Sequence, residues 1–314
     1  AVRLLRNGEL VAVPTETVYG LAADARNPDA VMKIFAAKDR PRSHPLIVHV
    51  HNAECLSQWA SDIPDAAYAL AVAFWPGPLT LLLKKAPGVN CTVTGGLDTI
   101  GLRVPDHAVL RHVIEALGSG LAAPSANPHK KLSPTSAQQV MACLDGKIAA
   151  VLDGGNCTVG LESTIVDLTT DEIRILRSGP ITRGQLEAVL GQPVILPQQH
   201  TMAVPGNMQV HYQPHTPLHI LTHQALITAL QHCDSSRCAV LAFGTPSSEL
   251  RQIPVHTCIA MPQDKQAYAS VLYQRLYELD QLQPACILLE QPPQTEAWLD
   301  VNDRLGKAAS PLAN

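Results

Sequence analysis

Short apolar runs recur along the first two-thirds of the chain, separated by segments with helical spacing. Leu10–Val13 is a compact apolar run ended by Pro14, which predicts a buried strand. Leu46–Val50, Leu79–Leu83, Ile100–Val104, a segment opening at Leu121, Ile148–Leu152, Ser163–Leu168 and Ile173–Leu176 read as further strands. Val2, Leu4 and Leu5 sit in a helical pattern at the start. After Asn27-Pro28-Asp29, apolar Ala30, Val31, Ile34 and Phe35 recur at helical spacing, with Asp29 placed to cap. Further helices are expected over about Asp106–Leu117, behind Pro134-Thr135, and from a Thr182 cap to about Leu190.

From Gly191 to Pro217 the periodicity stops and Pro193, Pro197, Pro205, Pro214 and Pro217 intervene, so this stretch reads as an extended linker. Regular patterning then returns: strand Leu218–Leu221, helix Gln224–Leu230, strand Cys238–Phe243, helix Lys265–Gln281, strand Ala285–Leu289 and a last helix from Glu296. The organisation expected is a domain over 1–192, a linker over 193–216 and a small α/β domain of the β-α-β kind over 217–314.

The apolar runs are far shorter than the roughly 20 residues that span a bilayer, and no leader-like segment opens the chain; a soluble, cytoplasmic protein is expected. The eight cysteines are scattered without a C-x-x-C pair, which suits small buried hydrophobes better than a zinc site. A net charge of −4 argues against gripping nucleic acid through bulk electrostatics. Basic residues nevertheless cluster at Lys38, Arg40 and Arg42, at Lys130 and Lys131, and at Arg174, Arg177 and Arg183. Such local sites suit a small anionic ligand.

No G-x-x-x-x-G-K-[ST] loop is present. Gly118-Ser-Gly-Leu-Ala-Ala123 matches G-x-G-x-x-A, but it follows a helix and precedes a strand, the reverse of a dinucleotide site. More informative are the polar residues crowded at strand ends: Pro14-Thr-Glu-Thr-Val-Tyr-Gly20, Lys38-Asp-Arg-Pro-Arg-Ser-His-Pro45, Pro124-Ser-Ala-Asn-Pro128, Gly160-Leu-Glu-Ser-Thr164 and Arg177-Ser-Gly-Pro180. Together they supply hydroxyls, amides and guanidinium groups for phosphates and a carboxylate, with no evident Ser-His-Asp or Cys-His system and no metal cage.

In order along the chain, Pro14–Leu21, Lys38–Pro41, Pro45–His49, Trp75–Thr80, Pro124–Asn127 and Glu162–Asp167 resemble the motifs of the threonylcarbamoyl-AMP synthases that share the YrdC-like domain. Pro205-Gly206 followed by His211-Tyr212-x-Pro214 is similar to the linker of their long, two-domain form. Asn302-Asp-Arg-Leu305 carries a weaker likeness near the end. The resemblance implies an α/β fold: a twisted, open mixed sheet in a YrdC-like domain, with a second, smaller Rossmann-like domain. It implies that Thr17, His49, Arg103 and Ser163 hold L-threonine, with Arg103 on the carboxylate. Lys38 and Arg40 would be the electrostatic catalysts. Arg40, His44, Thr99, Ser125, Asn127, Ser133, Arg177 and Tyr212 would surround ATP, Tyr212 as part of a lid. His44 stands where the family often has Asn, and Asn207 follows Gly206 where relatives usually have Met.

The activity so implied is formation of threonylcarbamoyl-AMP and diphosphate from L-threonine, bicarbonate and ATP, with Mg²⁺ bound largely through the phosphates. The product would serve N6-threonylcarbamoyladenosine formation in tRNA, with contact to tRNA or to the threonylcarbamoyl-transfer machinery. The rival readings are an RNA-binding module of the same fold and a carbamoyl-adenylate-forming carbamoyltransferase. Low aromatic content (4%) weighs against the first.

Overall fold

Residues 1–196, 204–206 and 211–310 are described by the computed structural model. The chain divides into two compact units, one of Ala1–His129 with Ser133–Asn207, the other of Lys130–Leu132 with Met208–Asn314. The first unit is built on a mixed, open sheet. Its strands are β1 (Val11–Val13), β2 (Gly20–Asp24), β3 (Ile47–His49), β4 (Ala60–Ser61), β5 (Leu79–Lys85), β6 (Thr99–Arg103), β7 (Leu121–Ala122), β8 (Ala150–Val151), β9 (Thr164–Asp167) and β10 (Arg174–Arg177). They lie in the order β10-β9-β5-β6-β3-β7-β2-β1-β8, with β4 on β5.

Register decides what each face carries. Val48 pairs with Leu102, Leu102 with Leu81, and Leu81 with Val166, so one row of the sheet is wholly apolar. That row belongs to the main core, with Leu79, Leu83 and Ile100 beside it. Alternation sends the neighbouring residues to the other face. There His49 pairs with Arg103, and Thr80 pairs with Ile165, which in turn faces Arg177. Ile47, Leu82, Ile165 and Leu176 form a small apolar cluster with Val204. One strand set thus serves a core on one side and a polar assembly on the other.

Local chemistry explains the helix ends. Asn27, not Asp29, caps helix Pro28–Lys38: its side chain accepts from the Asp29 and Ala30 amides, both at 3.1 Å, and Pro28 fills the first turn. Ser136 rather than Pro134-Thr135 opens helix Ala137–Leu144. Thr182 forms a capping box with Gln185 at helix Arg183–Leu190. Helix Ala108–Leu117 ends on Gly118 in the left-handed region (φ 72°), so the Gly118–Gly120 glycines turn the chain from helix into β7.

β2, helix Asp65–Phe74 and, in the second unit, the strand Thr257–Met261 are elements that the apolar pattern does not announce. β2 reads Gly-Leu-Ala-Ala-Asp and follows Tyr19 directly, so it merges with the motif before it. The linker stretch is partly engaged. Ile195 bridges Arg174 at the sheet edge, Val204 is buried in the apolar cluster, and residues 197–203 and 207–210 lie outside the described residues.

The second unit holds a four-stranded parallel sheet, β11 (Leu218–Leu221), β12 (Cys238–Phe243), β13 (Thr257–Met261) and β14 (Cys286–Glu290), in the order β11-β14-β12-β13. Helices His223–Gln231, Lys265–Gln281 and Leu299–Ala308 accompany it. No helix among the described residues is long and apolar enough to cross a membrane.

Leu81 has no exposed surface and stands at the centre of the apolar row. Leu81→Ala should lower the stability of the first unit by about 2–5 kcal/mol, read from its urea unfolding transition.

Candidate active site

The polar face begins at the turn after β1. The Thr15 hydroxyl donates to the Val18 carbonyl (2.7 Å) and accepts from the Thr17 and Val18 amides (3.0 and 3.1 Å). Its one proton is therefore spent, and in the 2.8 Å contact between the Thr15 and Thr17 hydroxyls Thr17 is the donor. This turn holds Glu16 against Arg103, with Nη2 and Oε1 2.6 Å apart and both side chains buried. Arg103 Nε donates to the Gly77 carbonyl at 3.2 Å, which fixes the plane of the guanidinium. Tyr19 closes the turn onto a neighbouring loop by donating to the Gly155 carbonyl (2.8 Å); its burial pushes its pKa up to about 12.

His49 lies beside Arg103 in register, and both its ring nitrogens are buried without a hydrogen-bond partner among the described residues. Burial first, and then the Arg103 charge, hold its pKa down at about 3; the Leu121 backbone offsets this only in part and without hydrogen-bond geometry. His49 is thus a neutral imidazole at physiological pH.

Farther along the same face, the Ser163 hydroxyl meets the Thr80 hydroxyl at 2.8 Å. Arg177 spends Nε on the Ser163 carbonyl, Nη2 on the Ser163 hydroxyl and Nη1 on the Pro205 carbonyl, at 2.9, 3.0 and 2.9 Å. The close approach depends on Gly179, where a Cβ would stand 2.3 Å from the Thr164 amide nitrogen.

Lys38 ends its helix with its ammonium donating to the Ser125 and Asn127 carbonyls. Burial and then the nearby Arg40 charge press its pKa well below that of an ordinary lysine. Arg40 donates to the Pro45 carbonyl at 3.1 Å and so folds the basic loop back before β3. In that loop the His44 ring stands edge-on to His129, 5.4 Å between centroids. Ser133 donates to Glu162 at 2.7 Å.

A family profile described as Telomere recombination matches residues 3–179, and one described as Threonylcarbamoyl-AMP synthase, C-terminal domain, matches residues 181–310. The threonylcarbamoyl-AMP synthase of Bacillus subtilis (strain 168) is 39% identical over 320 residues, covering 98% of this chain and 92% of the relative. The chain belongs to the threonylcarbamoyl-AMP synthase family. The synthase of Pyrococcus abyssi is 45% identical over 219 residues, which is 68% of this chain and 64% of that one. A crystal structure of P. abyssi Sua5 complexed with L-threonine superposes with a TM-score of 0.88 at 34% identity, over 98% of this chain and 92% of that chain.

The residues that the threonylcarbamoyl-AMP synthase resemblance assigns to L-threonine fall into two contact groups on the polar face. Thr17 adjoins Glu16, Glu16 pairs with Arg103, Arg103 neighbours His49, and Ser163 is bonded to Thr80 on the adjoining strand. Of those assigned to ATP, Ser125 and Asn127 are joined through Lys38, and Arg177 is joined to Ser163. Thr99 opens β6, on the same face as Arg103 but about 13 Å along the strand at ~3.3 Å per residue. Tyr212 belongs to the second unit. It is buried there in a left-handed conformation (φ 62°), stacked on Tyr273 at 5.8 Å, with the Arg304 guanidinium 5.4 Å from its ring centre. Glu16, Thr80 and Glu162 had no role assigned from the sequence. All three lie inside the quoted motifs, but nothing in local spacing shows that Glu16 meets residue 103 or Glu162 residue 133.

The state of His49 has a measurable consequence. An unfolded histidine titrates near 6.5 and the folded one near 3, so between these values the unfolded chain takes up a proton that the folded chain refuses. Stability therefore falls as pH drops through this window. In His49→Gln the slope of unfolding free energy against pH between pH 5 and 6 should be shallower by about 1 kcal/mol per unit. Equal slopes in urea titrations would mean that folded His49 carries the proton.

Proposed function

We propose that this chain condenses L-threonine, bicarbonate and ATP into threonylcarbamoyl-AMP and diphosphate, supplying the intermediate for threonylcarbamoyl modification of tRNA. The observation that carries the reading is a buried polar surface in which the turn residue Glu16 meets Arg103, with His49 beside Arg103 on one sheet face and Thr80, Ser163 and Arg177 farther along it. The likeness to a structure complexed with L-threonine supports it. In this reading Arg103 holds the amino acid's carboxylate, and Thr17, Ser163 and His49 contact its remaining polar groups. A neutral His49 does not repel the ammonium group.

The ammonium group first gives up a proton to solvent, and the free amine then combines with bicarbonate, releasing water and leaving a carbamate. A carbamate oxygen attacks the α-phosphorus of ATP, the bond to the bridging oxygen breaks, and diphosphate leaves. Such a displacement depends on positioning and charge neutralisation rather than on a protein nucleophile. Arg40 and Lys38 are assigned that task. Two of Lys38's three donors already organise the loop bearing Ser125 and Asn127, so its part is played jointly with that loop. His44, Thr99, Ser133 and Arg177 complete the assignment to the nucleotide. Mg²⁺ is assigned to the triphosphate, where it would supply charge neutralisation.

Diphosphate release from ATP with bicarbonate present should rise strongly on adding L-threonine and weakly on adding L-serine. No rise with any amino acid would refute the reading. Arg40→Ala should lower threonine-dependent turnover on the order of 10²-fold or more; a variant within threefold of the parent would remove Arg40 from the chemistry.

A further inference from the structure

We propose that Glu16 is the ammonium partner of the amino acid whose carboxylate Arg103 receives, so that a paired acid and base, rather than Arg103 alone, recognise the substrate. The inference rests on the assignment of Arg103 made above. Glu16 is about nineteen-twentieths buried (5% exposed), and its direction is fixed by the closed Thr15–Val18 turn. The Val159 amide donates to its backbone carbonyl at 2.7 Å, which anchors the turn from the other side.

Oε1 lies 2.6 Å from Arg103 Nη2 as an ion pair without hydrogen-bond geometry, and Oε2 is buried with no hydrogen-bond partner among the described residues. A carboxylate oxygen removed from water without a donor is costly, so its retention points to a ligand that brings donors. The neighbouring imidazole of His49 also lacks hydrogen-bond partners for both nitrogens among the described residues. An ammonium group carries three donors and a positive charge, which matches an unpartnered anionic acceptor.

Charge balance gives the pair a selective consequence. Arg103 and Glu16 sum to zero, and His49 adds nothing while neutral. A zwitterion that sets its carboxylate on Arg103 and its ammonium on Glu16 leaves the charge of this pair unchanged at zero. A carboxylate without an amine would add an uncompensated negative charge beside Glu16, and an amine without a carboxylate an uncompensated positive one beside Arg103. Burying unpaired charge is strongly disfavoured, so the pair admits α-amino acids and rejects both half-matched molecules.

The test compares L-threonine with 3-hydroxybutyrate, which keeps the carboxylate and hydroxyl but lacks the amine, by calorimetric titration of the full chain. Glu16→Gln should weaken L-threonine binding by about tenfold or more, because a charge-assisted hydrogen bond is lost. Its binding of 3-hydroxybutyrate should stay within about threefold or tighten, since the like charge is gone. Equal weakening of both ligands would reduce Glu16 to a support for Arg103 and overturn the proposal, as would L-threonine affinity within about twofold of the parent. If circular dichroism shows Glu16→Gln unfolded, Glu16→Asp retains the charge but withdraws it by one methylene. That variant should then weaken L-threonine alone, and an unchanged affinity would overturn the proposal. A parent chain that binds ATP but not L-threonine sinks the Arg103 assignment, and this inference with it.

Discussion

Successive side chains of a strand point to opposite faces, and the site depends on that constraint more than on any single contact. Val48, Leu102, Leu81 and Val166 lock β3, β6, β5 and β9 into one register through the core. The same register places His49 beside Arg103, and Thr80 opposite Ile165. A slip of one residue in β6 would turn Arg103 into the apolar core and bring Leu102 to the polar face. The apolar row therefore specifies the alignment of the polar one, and core packing becomes a determinant of chemistry.

Much of the polar face is committed to organising itself. The Thr15 hydroxyl shapes the turn that delivers Glu16 and Thr17. Lys38 fastens the Ser125–Asn127 loop, and Arg177 distributes three nitrogens between Ser163 and Pro205. Lys38 and Arg177 meet neutral acceptors, backbone carbonyls and the Ser163 hydroxyl, which engage their donors without cancelling their charge. An anionic ligand then finds cations already oriented, at little reorganisation cost.

Strands dominated by apolar runs were legible because a buried strand needs little more than apolar residues between breakers; β5 and β6 show this. β2 and helix Asp65–Phe74 were not, since alanine-rich segments carry too little contrast to announce a period. The cap of helix Pro28–Lys38 turned on which of the two polar residues flanking Pro28 lies outside the helix. Most of the site was readable as motifs because its residues crowd strand ends. Partnerships were not readable. Glu16 with Arg103, Lys38 with Ser125 and Asn127, and Ser133 with Glu162 join residues 29 to 89 positions apart, and only the sheet order brings them together. Tyr212 illustrates the same limit, because its packing on Tyr273 and Arg304 is set by the second unit and not by the linker motif that contains it.

Buried ionic and polar pairs are a poor way to stabilise a fold, because desolvation consumes most of the attraction and apolar replacements of similar volume are often as stable. The first unit already has an extensive apolar core on the far side of its sheet. Stability therefore does not account for Arg103, Glu16 and a neutral His49 buried together on the near side. What such a group provides is a low-dielectric surface on which charges are fixed in position before the ligand arrives, so that electrostatic discrimination between ligands is larger than water would allow. In this architecture the apolar core supplies the rigidity, and the polar face spends part of it on selectivity.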